Sequence, residues 1–227
     1  MHLVYDSLKN SRHQMFHHNS FLPENIFNEN EKFNSDWIKK NYLIGNEPIA
    51  LEDLNLTTEQ INNSNDFGVV WLKNIDRLLA MLPKEVDTSK YNLLDIGCGS
   101  GISTIYFFEK CNFKNLIGID YSDKLIKLAN KNLKICEKTL SHTIKNKIKF
   151  SFEDALNYVF PDDRFLMFLF HSFEGEKLEL FVKKNIELWR KNGSILLYSN
   201  DHCVNDLLKY SKYHFRDDVF NLSVFGF

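Results

Sequence analysis

Apolar positions recur in two rhythms along this chain. Val69, Val70, Leu72, Ile75, Leu78, Leu79 and Leu82 return every three or four residues. That is the period of a helix buried along one stripe, and Pro83 closes the run. Asn92-Leu93-Leu94-Asp95-Ile96 then reads as a short buried strand leading into Gly97-Cys98-Gly99-Ser100-Gly101 and a helix from Ile102 to Cys111. A second strand, Asn115 to Asp120, precedes a helix carrying Leu125, Ile126, Leu128 and Leu133, with Ser122 as its N-cap. Ile148-Lys149-Phe150-Ser151-Phe152 alternates as a third strand. Phe165 to Phe170 is apolar throughout, as in a strand covered on both faces. Leu178, Phe181, Val182, Ile186 and Trp189 mark a helix stopped at Asn192-Gly193. Ile195 to Tyr198 is a fifth strand, a short helix spans Val204 to Tyr210, and the tail to Phe227 has the look of a strand pair turning near Asn221.

Strands alternating with helices predict an α/β fold: a doubly wound, mostly parallel, seven-stranded sheet. The last two strands have no helix between them, so the last runs antiparallel. Residues 1–65 have a different texture. They are rich in Asn, His and Glu, with short apolar islands such as Tyr42-Leu43-Ile44. They are expected to form an N-terminal cap of short helices and loops, leaving 66–227 as the folded domain, able to survive without the cap.

Composition narrows the classes. Hydrophobic residues at 44% and charged residues at 26% suit a globular chain. Lys and Arg number 28 against 30 Asp and Glu, so no global positive charge points to nucleic acid. The lysines between Lys124 and Lys149 read as a solvated helix face or, alternatively, as phosphate contacts. No apolar run approaches the roughly 20 residues of a membrane helix, and the first twenty residues lack the order of a secretory signal. Cys98, Cys111, Cys136 and Cys203 form no close pair, which fits a reducing, cytoplasmic setting. His13, His17 and His18 have helical spacing, but they read more simply as an exposed polar segment, and no metal is expected.

The chemistry concentrates after the first strand. A tight strand-to-helix turn needs glycine for backbone freedom and for the close approach of a ligand, and the helix start offers free N–H groups. Asp120 ends the second strand at the same rim of the sheet. A carboxylate there either binds a ribose diol or caps the next helix. The dinucleotide pattern Gly-x-Gly-x-x-Gly fails, because position 102 is Ile102 and the third glycine falls one residue early, at Gly101.

These residues resemble the class I, Rossmann-like, S-adenosylmethionine-dependent methyltransferases. The first motif of that family, an acid followed by three alternate glycines, matches Asp95, Gly97, Gly99 and Gly101. Its second acid matches Asp120, and its third matches Asp154. The resemblance covers about residues 67–227 and is closest to small bacterial members of unassigned substrate. It implies S-adenosylmethionine as cofactor, with Asp95 toward the methionyl amino group and the loop, including Cys98, beneath the methionyl part. Asp120 would hold the ribose, Tyr121 would lie against the adenine, and Asp154 and Ala155 would meet its amino edge. Where amino-group methyltransferases carry Asn and Pro after strand four, this chain has Phe170-His171-Ser172-Phe173. His171 is therefore either a general base for a hydroxyl or a buried structural histidine, with Glu174 as a lesser candidate. The expected reaction is O-methylation of a small molecule or sugar hydroxyl. Alternatives are a protein or nucleic-acid N-methyltransferase and a catalytically silent accessory protein. The expected partner is a small-molecule acceptor, with no membrane and no nucleic acid; the oligomeric state is left open.

Overall fold

A computed structural model describes residues 22–47, 49–54, 56–57, 67–170, 172 and 175–227. Helix α1 (Glu24–Lys40) and helix α2 (Leu72–Ala80) precede the sheet. Then follow β1 (Asn92–Ile96), α3 (Ile102–Lys110), β2 (Leu116–Asp120), α4 (Asp123–Thr139) and β3 (Ile148–Phe152). The second half runs β4 (Phe165–Phe170), α5 (Glu176–Asn192), β5 (Ile195–Ser199), α6 (Val204–Leu208), β6 (Tyr213–Asp217) and β7 (Leu222–Gly226).

The strands form one seven-stranded sheet in the order β3-β2-β1-β4-β5-β7-β6. The first five are parallel, and β7 runs antiparallel to both β5 and β6. This is the expected doubly wound sheet. The winding reverses between β1 and β4, so a crevice opens beside the carboxyl end of β1.

Strand residues alternate between two cores, as a period of two requires. Leu93, Leu166, Phe168 and Leu197 face α1–α4, whereas Leu94, Met167, Leu169 and Leu196 face α5 and α6. On α4 the buried stripe is Leu125, Ile126, Ala129, Leu133 and Cys136, with lysines opposite. Helix α5 stops at Gly193 in the left-handed conformation, where the Ser194 N–H bonds the Trp189 carbonyl.

The N-terminal segment holds more structure than its texture suggests. Helix α1 is 17 residues long, and it shares the α2–α4 core through Trp37 and Ile38, joined by Leu43 just beyond its end. Trp37 packs edge-on against Tyr106 at 5.1 Å, and its indole N–H donates to Glu109. Asn34 caps α2 from outside: its Oδ1 accepts the Leu72 N–H, and its Nδ2 donates to the Val70 carbonyl. The expected helix through Val69 and Val70 accordingly begins only at Leu72, with Trp71 extended as its N-cap and the Val70 carbonyl held by Asn34 of α1.

Candidate functional site

Three glycines turn the chain from β1 into α3. Gly97, Gly99 and Gly101 have φ of 71°, 54° and 77°, a region that residues with a Cβ rarely adopt. Space adds to the backbone argument. A Cβ on Gly97 would fall 2.3 Å from the Ser172 Oγ, and one on Gly99 would fall 2.2 Å from the Phe67 ring. Ser172 and Phe67, far apart in the chain, therefore converge on this turn. Gly97→Val is expected to unfold or distort the turn and to abolish cofactor binding, which calorimetry with S-adenosylhomocysteine and thermal melting would check together.

Asp120 ties the turn to the next helix. Its Oδ2 accepts the Gly99 N–H at 3.0 Å, and its Oδ1 accepts the Ser122 N–H at 2.8 Å. Ser122 in turn caps α4 by accepting the Leu125 N–H. Each carboxylate oxygen has two lone pairs, so each retains one for a hydroxyl ligand. Burial pushes the Asp120 carboxyl up to about 6, opposed by its two backbone hydrogen bonds.

Asp95 sits deeper, 1% exposed, on the α1–α4 side of β1. Its Oδ2 accepts hydroxyl protons from Ser103 at 2.6 Å and Thr104 at 2.5 Å, so it braces the first turn of α3. Burial raises this carboxyl to about 6 as well, against those hydroxyl bonds. Its folded pKa is above the ordinary 3.8. The carboxyl therefore favours the folded state below about pH 4, and that contribution is lost as pH rises through about 6. Asp95→Asn, which keeps one acceptor and carries no charge, is expected to remove this loss, about 2 kcal/mol between pH 4.5 and 7.5. Urea denaturation of the ligand-free protein at pH 4.5 and 7.5 would check it. An unchanged pH slope would refute it.

At the other end of the crevice, Tyr121 is partly buried. Burial pushes its hydroxyl far up, and the charges of Asp120 and Asp154 add to that. Asp154 is exposed and caps the turn Ala155–Asn157: its Oδ1 accepts the Leu156 N–H and its Oδ2 the Asn157 amide. Ala155 is buried beneath that turn. Cys98 is buried in the glycine turn, and burial together with Asp120 and Asp95 raises its thiol well above the ordinary value, so it is not poised as a nucleophile.

The turn and these acids thus lie at one rim of the sheet, apart from Asp95, which lies beneath it. The residues suit S-adenosylmethionine: the turn's glycines carry no side chains, Asp120 keeps lone pairs for a diol, and an aromatic, Tyr121, follows it directly in the chain. Ser100, in the turn, has a buried Oγ without a hydrogen-bond partner among the described residues, a further polar atom at the cradle. His171 and Glu174 lie outside the described residues, as do His13, His17 and His18. Sequence reasoning missed Ser172, whose hydroxyl donates to the Ile96 carbonyl and closes over Gly97. It also missed Ser103 and Thr104, although two hydroxyl residues just inside a helix after such a turn are a readable signal.

A family model described as a methyltransferase domain matches residues 93–193, from β1 into the end of α5. Ajmaline N-methyltransferase from Rauvolfia serpentina is 25% identical over 125 residues, 54% of this chain and 40% of that enzyme. The matched stretch thus spans well under half of that curated relative's length. Among solved structures, the mitomycin 7-O-methyltransferase MmcR superposes with a TM-score of 0.50 at 7% identity, over 68% of this chain and 52% of that one. That likeness is one of fold. An RNA methyltransferase from Salinibacter ruber in complex with S-adenosyl-L-homocysteine gives a TM-score of 0.46 at 16% identity, over 67% and 88%. The domain match, laid over the glycine turn, its acids and the strand order, supports a class I S-adenosylmethionine-dependent methyltransferase.

Proposed function

We propose that this protein transfers a methyl group from S-adenosylmethionine to a hydroxyl of a small molecule or sugar. The observation that carries methyl transfer is Asp120, a buried carboxylate that bonds the glycine turn and still has acceptor capacity at the carboxyl rim. The hydroxyl preference rests on the sequence after β4. His171-Ser172 stands there in place of an Asn and Pro that would hold a nitrogen, and the Ser172 hydroxyl is already committed to the Ile96 carbonyl.

The bound cofactor supplies a methyl on a cationic sulfur, already activated for displacement. The chain's task is to align the acceptor, exclude water and take a proton. The glycine turn and Asp120 fix the position of the cofactor. Phe67 and Ser172 pack against that turn, at Gly99 and Gly97. His171, just past the carboxyl end of β4, is the group we assign to accept the hydroxyl proton, in its neutral form.

A nitrogen acceptor is the second reading, favoured by the likeness to ajmaline N-methyltransferase. A labelled methyl donor offered with a panel of small alcohols, sugars and amines would decide between them. Ether products uphold the proposal, and N-methyl products alone overturn it. His171→Ala is expected to slow hydroxyl methylation by at least about 10²-fold while cofactor affinity stays near normal. Normal turnover of that variant would remove the base from the scheme. A chain that binds cofactor yet transfers no methyl to any acceptor would point instead to an accessory role.

A further inference from the structure

A cavity of about 530 Å³ lies between α4 and Ile49, Leu54 and Leu56 of the N-terminal segment. It shares Tyr121 with the cofactor crevice, but neither the loop glycines, Asp120, Asp154 nor Ala155 line it. Its walls are apolar: Ile49, Leu54, Leu56, Leu128 and Phe152. Phe152 is 58% exposed, an unusual state for a large ring at the end of a strand.

The rim of the cavity is basic. Lys124, Lys127 and Lys131 all line it, against Asp123 as the single acid. Lys124 and Leu128, then Leu128 and Lys131, lie four and three residues apart, so one face of α4 carries them. Lys127 pairs with Asp123 at 2.5 Å. Lys124 donates to the Asp53 carbonyl, which leaves its charge uncompensated. Lys131 has no carboxylate partner among the described residues. Three ammoniums and one carboxylate leave a surplus of two positive charges over an apolar floor.

We propose that this cavity is a second ligand site, for a small amphipathic anion: an apolar body against Leu54, Leu128 and Phe152, and one carboxylate or phosphate at Lys124 and Lys131. The volume is that of a small-molecule pocket, and the arrangement is that of such sites, with apolar walls and a few convergent polar groups. The argument for the anion is charge complementarity, since a neutral or cationic ligand would leave the surplus unanswered. The site does not depend on which acceptor is methylated.

Calorimetry on the full chain with octanoate, octyl phosphate and 1-octanol tests it, each with and without saturating S-adenosylhomocysteine. Octanoate or octyl phosphate should bind at one site in both conditions, at least tenfold tighter than 1-octanol. Whichever anion binds tighter identifies the head group. Lys131→Glu, an exposed change that spares the fold, should weaken the anions about tenfold and leave 1-octanol unaltered. Lys138→Glu, on α4 but outside the cavity, should change neither. Equal binding of 1-octanol, no saturable anion binding, or indifference to Lys131→Glu would overturn the proposal. So would loss of octanoate binding once S-adenosylhomocysteine is present, because the probe would then have been in the cofactor crevice.

Discussion

Asp120→Ala is expected to lower affinity for S-adenosylmethionine by about 10²- to 10⁴-fold. The lost groups are two acceptors for ribose hydroxyls, each charge-assisted bond being worth about 1.5–3 kcal/mol. A second loss adds to the first, because the Gly99 and Ser122 N–H groups lose their partner and the turn loses its tie to α4. The same carboxyl predicts a pH dependence. Its folded pKa is raised to about 6, and the diol prefers the ionised form. Cofactor affinity should hold above pH 6 and fall toward tenfold per unit below it. Asp120→Asn should bind weakly at every pH and lose that slope. Calorimetry between pH 5 and 8 would check both. A folded Asp120→Ala variant with wild-type affinity would reduce Asp120 to a helix cap.

Deleting residues 1–65 is expected to leave a chain that fails to fold stably, the reverse of what the polar texture of that segment suggests. Trp37, Ile38 and Leu43 are buried in the same core as Ile75, Ile105 and Leu133. Their removal uncovers α2 and α3 and strips several polar groups of their partners. Asn132, fully buried on α4, exchanges both sides of its amide with the backbone of Ile44 and also donates to the Ser100 carbonyl. Without the segment, two of those three bonds vanish in the interior, at about 1–3 kcal/mol for each group left unmade. The milder variant Trp37→Ala should by itself cost about 3–5 kcal/mol, a large share of a typical domain's 5–15 kcal/mol. Denaturant unfolding and circular dichroism would check both. A soluble, cooperative 66–227 fragment with near-native stability would show that α1 is an appendage after all.

The strand signals were legible because β4 and β5 are covered on both faces, so nearly every residue in them is apolar whatever lies above or below, and β1 keeps Leu93, Leu94 and Ile96 for the same reason. The glycine turn was legible because backbone freedom at Gly97, Gly99 and Gly101 is a property of the residue itself. Asp120 was legible from its position at the end of a strand, since in a parallel sheet strand ends gather at one rim.

Helix α1 was not legible. Its buried face is carried by Asn30, Asn34, Trp37 and Ile38, and two asparagines erase the hydrophobic period that marks a helix in sequence. They are tolerated inside because partners from other elements satisfy them: Val70 and Leu72 for Asn34, and Arg77 for Asn30. Asn132 hides within α4 for the same reason, and so does the ion pair at the far edge, where buried Asp201 accepts from Arg216 and Ser223. The sequence by itself thus determined the sheet, its winding and the glycine turn, because these follow from local period and backbone chemistry. Only the tertiary structure decided that Trp37, Ile38 and Leu43 belong to the core, that Asp95 braces α3 and that a basic-rimmed cavity borders Tyr121. Each of these depends on polar groups meeting partners far away in the chain, a pairing that no local pattern encodes.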